Sequence, residues 1–178
     1  MTGRAAAKPT DSNDYETPFS FYRRLDDEFG FTMDAFATSR NAKCALHFTR
    51  EFSAFEHEWT RESFPRWVPE SYGPLARSWR AFANPPYDRL LLGRAVRRMA
   101  EQSAKHGIVI VGLVPPSTST KWWHETVMTQ ASEVRAIKGR LQFEYNGVPV
   151  KGNRGDSCVL VFRPGVRGPV FTSMEAYL

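Results

Sequence analysis

Apolar residues form alternating strand-like and helix-like segments along the second half of the chain. Short apolar runs predict four buried strands, at residues 79–83, 108–114, 134–143 and 157–163. Apolar positions at helical spacing predict two helices, at residues 89–106 and 121–131. Strands that alternate with helices are typical of a mostly parallel sheet, and the closely spaced final pair predicts an antiparallel strand near the C-terminus. The pattern therefore predicts a Rossmann-like α/β fold.

The first half of the chain carries shorter signals. Thr17-Pro18 has the chemistry of a helix start, and apolar residues follow at helical spacing until Gly30 ends the helix. A brief apolar strand at residues 31–33 then ends at Asp34. Between residues 43 and 79 the prolines and aromatics are irregularly spaced, which predicts loops with short helical pieces rather than a second domain.

Length and composition fit one globular domain. The chain has 178 residues, of which 42% are hydrophobic, enough for one core. We expect a single domain at residues 15–164, a flexible N-terminal tail at 1–14 and a C-terminal extension at 165–178. The longest mainly apolar run, 107–116, is about half of the ~20 residues that a membrane helix needs. These features predict a cytoplasmic protein with no membrane association.

The charge distribution predicts a surface that faces phosphates. Lys and Arg number 24 against 19 Asp and Glu, giving a net charge of +5. From residue 133 onward basic residues outnumber acidic ones, so this end is a candidate for binding a polyanion, although a solvated basic face without a partner explains the charge equally well. Cys44, His47 and His57 do not have the spacing of a closed metal site, and we predict no metal.

One motif follows the predicted strand 79–83 directly. In Asn84-Pro85-Pro86-Tyr87 the two prolines fix an extended backbone and offer no amide donors. The Asn84 amide oxygen and the Pro85 carbonyl can together accept both hydrogens of an exocyclic amine, while the Tyr87 ring offers a surface for stacking. The motif therefore suits a planar substrate that bears an amino group, and it prepares the nitrogen as a nucleophile without a strong base.

With that motif the chain resembles the phage-type Dam family of DNA N6-adenine methyltransferases, which use S-adenosylmethionine. Five further blocks in the same order carry the resemblance: Thr17-Pro18-Phe19, residues 29–35, residues 41–44, Trp122-Trp123-His124 and residues 138–143. The resemblance runs from about Tyr15 to Pro164. It implies a Rossmann-like methyltransferase of phage or prophage-like origin that acts in the bacterial host cell.

The resemblance also implies roles for individual residues. Asn84, Pro85, Pro86 and Tyr87 would grip a flipped adenine as the catalytic motif. The residues implied to contact S-adenosylmethionine are Thr17, Pro18, Asp34, Ala35, Phe36 and Asn41. Two departures from the family pattern stand out: residues 35–39 replace a glycine-rich loop, and the segment Glu51 to Phe55 lacks an aspartate that related sequences tend to carry.

The implied partner is double-stranded DNA, bound by a monomer or a homodimer. We predict the following nucleic-acid contacts: Trp122, Arg135, Lys138, Arg140, Lys151 and Arg154. Two alternatives stay open at this point. Because the motif can polarise any planar amide or aromatic amine, the substrate can instead be RNA or a protein glutamine amide. The chain can also be a catalytically inactive DNA-binding relative, if the altered segment around Ser53 has lost the cofactor.

Overall fold

The computed structural model describes residues 15–64, 79–150 and 155–177. The predicted tail, residues 65–78 of the irregular stretch, and the candidate contacts Lys151 and Arg154 lie outside these ranges. Nine strands lie within them: β1 (Met33–Asp34), β2 (Leu46–His47), β3 (Arg80–Ala83), β4 (Val109–Val114), β5 (Glu133–Lys138), β6 (Glu144–Tyr145), β7 (Val148–Pro149), β8 (Cys158–Phe162) and β9 (Val170–Glu175).

Seven of these strands form one sheet in the order β2-β1-β3-β4-β8-β5-β9. The four strands from β2 to β4 are mutually parallel, as are β5 and β9. Only β8 runs antiparallel to its neighbours, between β4 and β5. A separate antiparallel pair, β6–β7, forms a small hairpin. The predicted Rossmann-like fold, mostly parallel with an antiparallel strand near the C-terminus, is confirmed.

Helices cover both faces of the sheet. Helix α1 (Phe19–Phe29) buries Phe21, Tyr22, Leu25 and Phe29, which recur at helical spacing, and Gly30 ends it with φ +64°. Helix α2 (Leu91–His106) packs on the opposite face, and Gly107 ends it in the same left-handed conformation. Two buried clusters result, one under α1 and one under α2, separated by the sheet. Among the described helices, none is long and apolar enough to cross a membrane.

The predicted helix 121–131 contains a distortion. Residues Trp123–Val127 form a π-helical segment, which is followed by the short helix α3 (Met128–Gln130). Trp123 and Val127 are buried in the core beneath it. Trp122 lies against α2, where a Cβ atom at Gly93 would be 2.7 Å from the indole ring. The absence of a side chain at Gly93 therefore lets the two helical segments approach closely.

Three features of the C-terminal half differ from the sequence-based expectation. The strand predicted at 134–143 ends at Lys138, because Gly139 turns the chain with φ +87°. The hairpin β6–β7, closed by Asn146 and Gly147 at positive φ, follows and was not predicted. The segment 165–178, predicted as an extension, contributes β9, which pairs with β5 along its whole length. The sheet thus continues past residue 164.

Candidate active site

A cleft of about 840 Å³ opens where three parallel strands end. Residues 35–40 follow β1, residues 48–55 follow β2 and residues 84–87 follow β3, and each segment contributes to the wall. Tyr15, Leu91 and Phe143 complete it. The carboxyl edge of a parallel sheet is where α/β proteins bind ligands, and the size suits a small-molecule site.

The Asn84-Pro85-Pro86-Tyr87 motif forms one side of this cleft. The Asn84 Oδ1 atom is buried and has no hydrogen-bond partner among the described residues. Since Pro85 and Pro86 carry no amide hydrogen, the backbone beside Asn84 cannot supply one. A buried acceptor without a donor is costly, and such atoms are found where a ligand completes the bond. The arrangement fits a substrate that brings its own N–H groups.

Tyr87 is fixed at both ends of its side chain. Its hydroxyl donates to the Leu113 carbonyl over 3.2 Å, and its ring meets Phe143 edge-on, with 5.9 Å between centroids. Phe143 in turn contacts Tyr15 edge-on at 6.5 Å. Burial of the hydroxyl raises the pKa of Tyr87, so it stays a neutral donor. Tyr87 as a whole is 38% exposed, so part of its surface stays open to the cleft that it lines.

Asp34 lies at the end of β1 in a small niche beside the cleft, which polar and aromatic residues line: Tyr15, Glu16, Thr17, Asp34, Phe36, Asn41, Lys43, Phe82 and Asn84. Its carboxylate accepts hydrogen bonds from the backbone amides of Phe36 (3.3 Å) and Lys43 (3.0 Å). The Thr17 hydroxyl is buried and has no partner among the described residues. The niche therefore brings together four of the residues predicted to hold a cofactor, Thr17, Asp34, Phe36 and Asn41.

The other predicted cofactor residues shape the same region. Pro18 precedes α1 and its carbonyl accepts from Tyr22 N (3.0 Å), whereas Ala35 is buried and donates to Phe82 O (2.8 Å). The Asn41 side chain accepts from Thr38 N (2.7 Å) and closes the turn after β1. This turn belongs to the segment 35–40 that lines the cleft.

Aromatic packing holds the opposite wall in place. Phe36 contacts Phe55 and Trp59, with 5.3 Å and 5.8 Å between ring centroids. Trp59 is fully buried, donates its indole N–H to Ala54 O (2.9 Å), and its backbone amide bonds the α2 side chain Gln102 (2.6 Å). Segment 48–59 is therefore anchored to α2.

Burial raises the pKa of Asp34 from 3.8 to about 6, although two backbone hydrogen bonds oppose the shift. Below pH 3.8 the Asp34 carboxyl is protonated in both the folded and the unfolded protein, so its burial costs no stability. Above pH 6 the folded protein buries an ionised carboxylate, which lowers the free energy of unfolding by about 3 kcal/mol. We expect the change in the free energy of unfolding caused by Asp34→Asn to be more stabilising at pH 7.5 than at pH 4, by about that amount. Denaturant unfolding of both proteins at the two pH values measures it. Equal effects at both pH values would contradict a raised pKa.

The family is decided by comparison with known proteins. The family model for DNA N-6-adenine-methyltransferase (Dam) matches residues 5–174. The chain belongs to this family. Among curated proteins it is 34% identical over 74 residues to YfdM of Escherichia coli (strain K12), whose name describes it as a candidate methyltransferase; the match covers 41% of this chain and 69% of YfdM. The cleft is thus the candidate active site of a methyltransferase.

In this Dam family member the described nucleic-acid contacts predicted from sequence lie outside the cleft wall. Arg135 points toward α1, where its guanidinium binds Glu28 (2.7 Å) and Glu133 (2.6 Å), and only 14% of its side chain is exposed. Lys138 pairs with Glu175 across β9 at 2.9 Å, with most of its side chain exposed. Arg140 is exposed after the strand end. Trp122 packs against α2 rather than in the described wall of the cleft.

Several cleft residues of this methyltransferase were not predicted from sequence. Phe143 was assigned to a strand, Tyr15 to the start of the domain, and Arg40 and Arg50 received no role. Arg40 stacks on Tyr145, 4.8 Å from the ring centroid, and donates to Asn146 (2.9 Å), which ties the cleft rim to the hairpin. The Asn146-Gly147 pair is a hairpin signal that the sequence did offer.

Proposed function

We propose that this chain transfers a methyl group from S-adenosylmethionine to the N6 amine of an adenine in double-stranded DNA. The observation that carries the proposal is that Asn84, a residue of the cleft wall, has a buried Oδ1 atom with no donor among the described residues. An aromatic amine supplies the missing N–H. Membership of the DNA N-6-adenine-methyltransferase family supports adenine in DNA as the source of that amine.

The motif prepares the nitrogen for reaction. Asn84 Oδ1 and the Pro85 carbonyl accept the two amine hydrogens, which draws the nitrogen lone pair out of conjugation with the ring. The Tyr87 ring, held by Leu113 and Phe143, stacks on the base and fixes its plane. Positioning and fixed dipoles of this kind lower the barrier without a covalent intermediate. Stacking also offsets part of the cost, a few kcal/mol, of taking the base out of the duplex.

The cleft fits S-adenosylmethionine by size and chemistry. When bound, this cofactor supplies an electrophilic methyl group on a sulfonium. Phe36 and Phe55 present aromatic surface for a purine ring, and Glu51 and Ser53 offer oxygen atoms at the same wall. The exposed Glu51 carboxylate has a lowered pKa because of hydrogen bonds from the local backbone and Thr49, so it is ionised at neutral pH and suits a cationic or hydroxyl-bearing ligand.

Cations at the cleft rim support a phosphate-bearing substrate. Arg40 and Arg50 both line the cleft, on the segments that follow β1 and β2. Of the predicted contacts, Arg135 is engaged by two carboxylates on the α1 side, so we assign phosphate binding first to the rim arginines. Lys138, Arg140, Trp122, Lys151 and Arg154 remain proposed contacts beyond the rim.

The test incubates the purified protein with S-adenosylmethionine labelled in the methyl group and, separately, unmethylated duplex DNA, RNA and a protein extract. Nucleoside and amino-acid analysis then identifies the labelled product. We expect label in N6-methyladenine from DNA, after which the target sequence can be mapped. Label only in RNA or in glutamine would assign the other substrate class. Binding of DNA with no labelled product and no cofactor binding would indicate an inactive relative.

We expect Tyr87→Ala to lower the rate of methyl transfer about 10- to 100-fold, because stacking of a base on an aromatic ring contributes about 1–3 kcal/mol. Tyr87→Phe retains the ring and loses only the bond to Leu113, so it should keep most of the activity. Incorporation of labelled methyl groups under single-turnover conditions measures both. If Tyr87→Phe is as slow as Tyr87→Ala, the hydroxyl rather than the ring is the important group.

A further inference from the structure

Leu90 is an unusually exposed apolar residue at the mouth of the cleft. It is 83% exposed, more than the other large hydrophobic side chains of the described residues. Single exposed leucines are common on protein surfaces, so exposure alone indicates nothing. Leu90, however, comes three residues after Tyr87, and the next residue, Leu91, lines the cleft. Leu90 is therefore a solvent-exposed apolar residue whose next neighbour in the chain belongs to the cleft wall.

The backbone around Leu90 is held rigidly. The Asp88 carboxylate accepts from the amides of Leu90 (2.8 Å) and Leu91 (3.1 Å), and the Asp88 carbonyl accepts from Leu92 (2.9 Å) at the start of α2. Leu90 is three residues from Tyr87 along the chain, so their Cα atoms lie within about 11 Å of each other. The hydrogen bonds to Asp88 therefore hold the exposed Leu90 in place relative to the motif.

The same mouth carries positive charge. Arg89 is exposed next to Leu90, and the Arg94 guanidinium lies 4.3 Å from the ring centroid of Phe55, which lines the cleft. An apolar side chain flanked by arginines matches a nucleic-acid duplex, whose outside is anionic and whose interior is a stack of apolar faces. Proteins that open the base stack insert leucine and similar side chains between base steps.

We propose that Leu90 enters the duplex at the position that the target adenine leaves, and so holds the extruded base in the Tyr87 pocket. The inference rests on the proposed function, since it requires a duplex substrate with a flipped base. Removal of a base leaves a gap in the stack, and an apolar side chain that fills the gap gains the contacts that the base has lost. Leu90 is thus a positioning residue and takes no part in the transfer itself.

The test uses a duplex that carries the mapped target site with 2-aminopurine in place of the target adenine. The fluorescence of 2-aminopurine rises when it leaves the stack. We expect wild-type protein to raise it and Leu90→Ala to shift the extrusion equilibrium back about tenfold, since most of a leucine's buried apolar area is lost. Leu90→Met should retain the effect. Val170→Ala, at an exposed apolar site on the opposite edge of the sheet, is the matched control and should behave as wild type.

Two further duplexes keep adenine at the target, since 2-aminopurine lacks the N6 amine that is methylated; one has thymine opposite the target and the other has no base there. Extrusion costs less in the duplex without the opposite base, so Leu90→Ala should methylate that duplex at nearly the wild-type rate and the paired one more slowly. Wild-type fluorescence from Leu90→Ala on the 2-aminopurine duplex, or an equal loss of methylation on both adenine duplexes, would overturn the role proposed for Leu90. If wild-type protein labels no adenine in DNA, the proposed function itself fails, and the role proposed for Leu90 fails with it.

Discussion

Replacing Asn84 with alanine should abolish methyl transfer at the sensitivity of most assays, with a loss of about 10²–10³-fold or more. Removal of a single preorganised polar group aimed at developing charge typically has an effect of this size. Here the removed oxygen is the buried acceptor for which the described residues provide no donor. DNA affinity should change little, because we assign the phosphate contacts to Arg40 and Arg50 at the cleft rim rather than to the motif. Single-turnover transfer and binding titrations measure the two quantities separately.

Asn84→Asp is the matched variant for this prediction. It keeps an acceptor oxygen at the same position and should retain more activity than Asn84→Ala. Circular dichroism of the alanine variant is expected to equal that of wild type, since Asn84 makes no side-chain hydrogen bond through Oδ1 that the fold would lose. Methylation by Asn84→Ala at more than a tenth of the wild-type rate would eliminate amine polarisation as the main source of acceleration.

The second large effect is expected from Trp59→Ala, which should lower the free energy of unfolding by about 3–5 kcal/mol. Trp59 is fully buried, and its indole bonds Ala54 O while its ring packs against Phe36 and Phe48. Because these contacts hold the wall after β2 against α2, cofactor affinity should fall together with stability. Denaturant unfolding and calorimetric titration with S-adenosylmethionine measure the two losses.

Leu25→Ala provides the control for this coupling. Leu25 is also buried, but it lies under α1 on the other face of the sheet. Its replacement should destabilise the protein by about 2–5 kcal/mol and leave cofactor affinity unchanged well below the unfolding midpoint. An equal loss of affinity in both variants would show that general destabilisation, and not the wall, controls binding.

Local patterns predicted the parts of the site that follow directly from strand ends. The apolar run before Asn84 and the brief one before Asp34 placed both residues at the carboxyl edge of the sheet, and the structure has them there. Phe143 was missed because apolar residues recur among polar ones throughout residues 134–143, as in one long strand, and only the conformation of Gly139 separates the strand from the cleft wall. A glycine inside a strand-like run was the available signal.

Charge counts along the sequence could not show which basic residues are engaged by carboxylates of the same chain. Arg135 lies in a segment where basic residues dominate, yet one of its partners, Glu28, is 107 residues earlier in the chain. Glu133 also binds Arg163 at 2.8 Å, and both arginines stack on Phe29. Such pairings depend on how α1 crosses the sheet, which periodicity does not specify. Strand β9 was missed for a related reason: its side chains are mostly exposed, so it carries no buried apolar run.

The position of β8 determines when this protein can complete its fold during synthesis. Residues Cys158–Phe162 lie between β4 and β5, both of which leave the ribosome earlier. Until β8 has been made, β4 lacks one neighbour, and β5 has no connection to the parallel half of the sheet. The edges of β4 and β5 that pair with β8 therefore stay exposed in a partly formed sheet until β8 joins them. Strands β1, β2 and β3, whose ends carry the candidate active site, can assemble before this step. Nascent chains should therefore bind the cofactor before β8 completes the sheet.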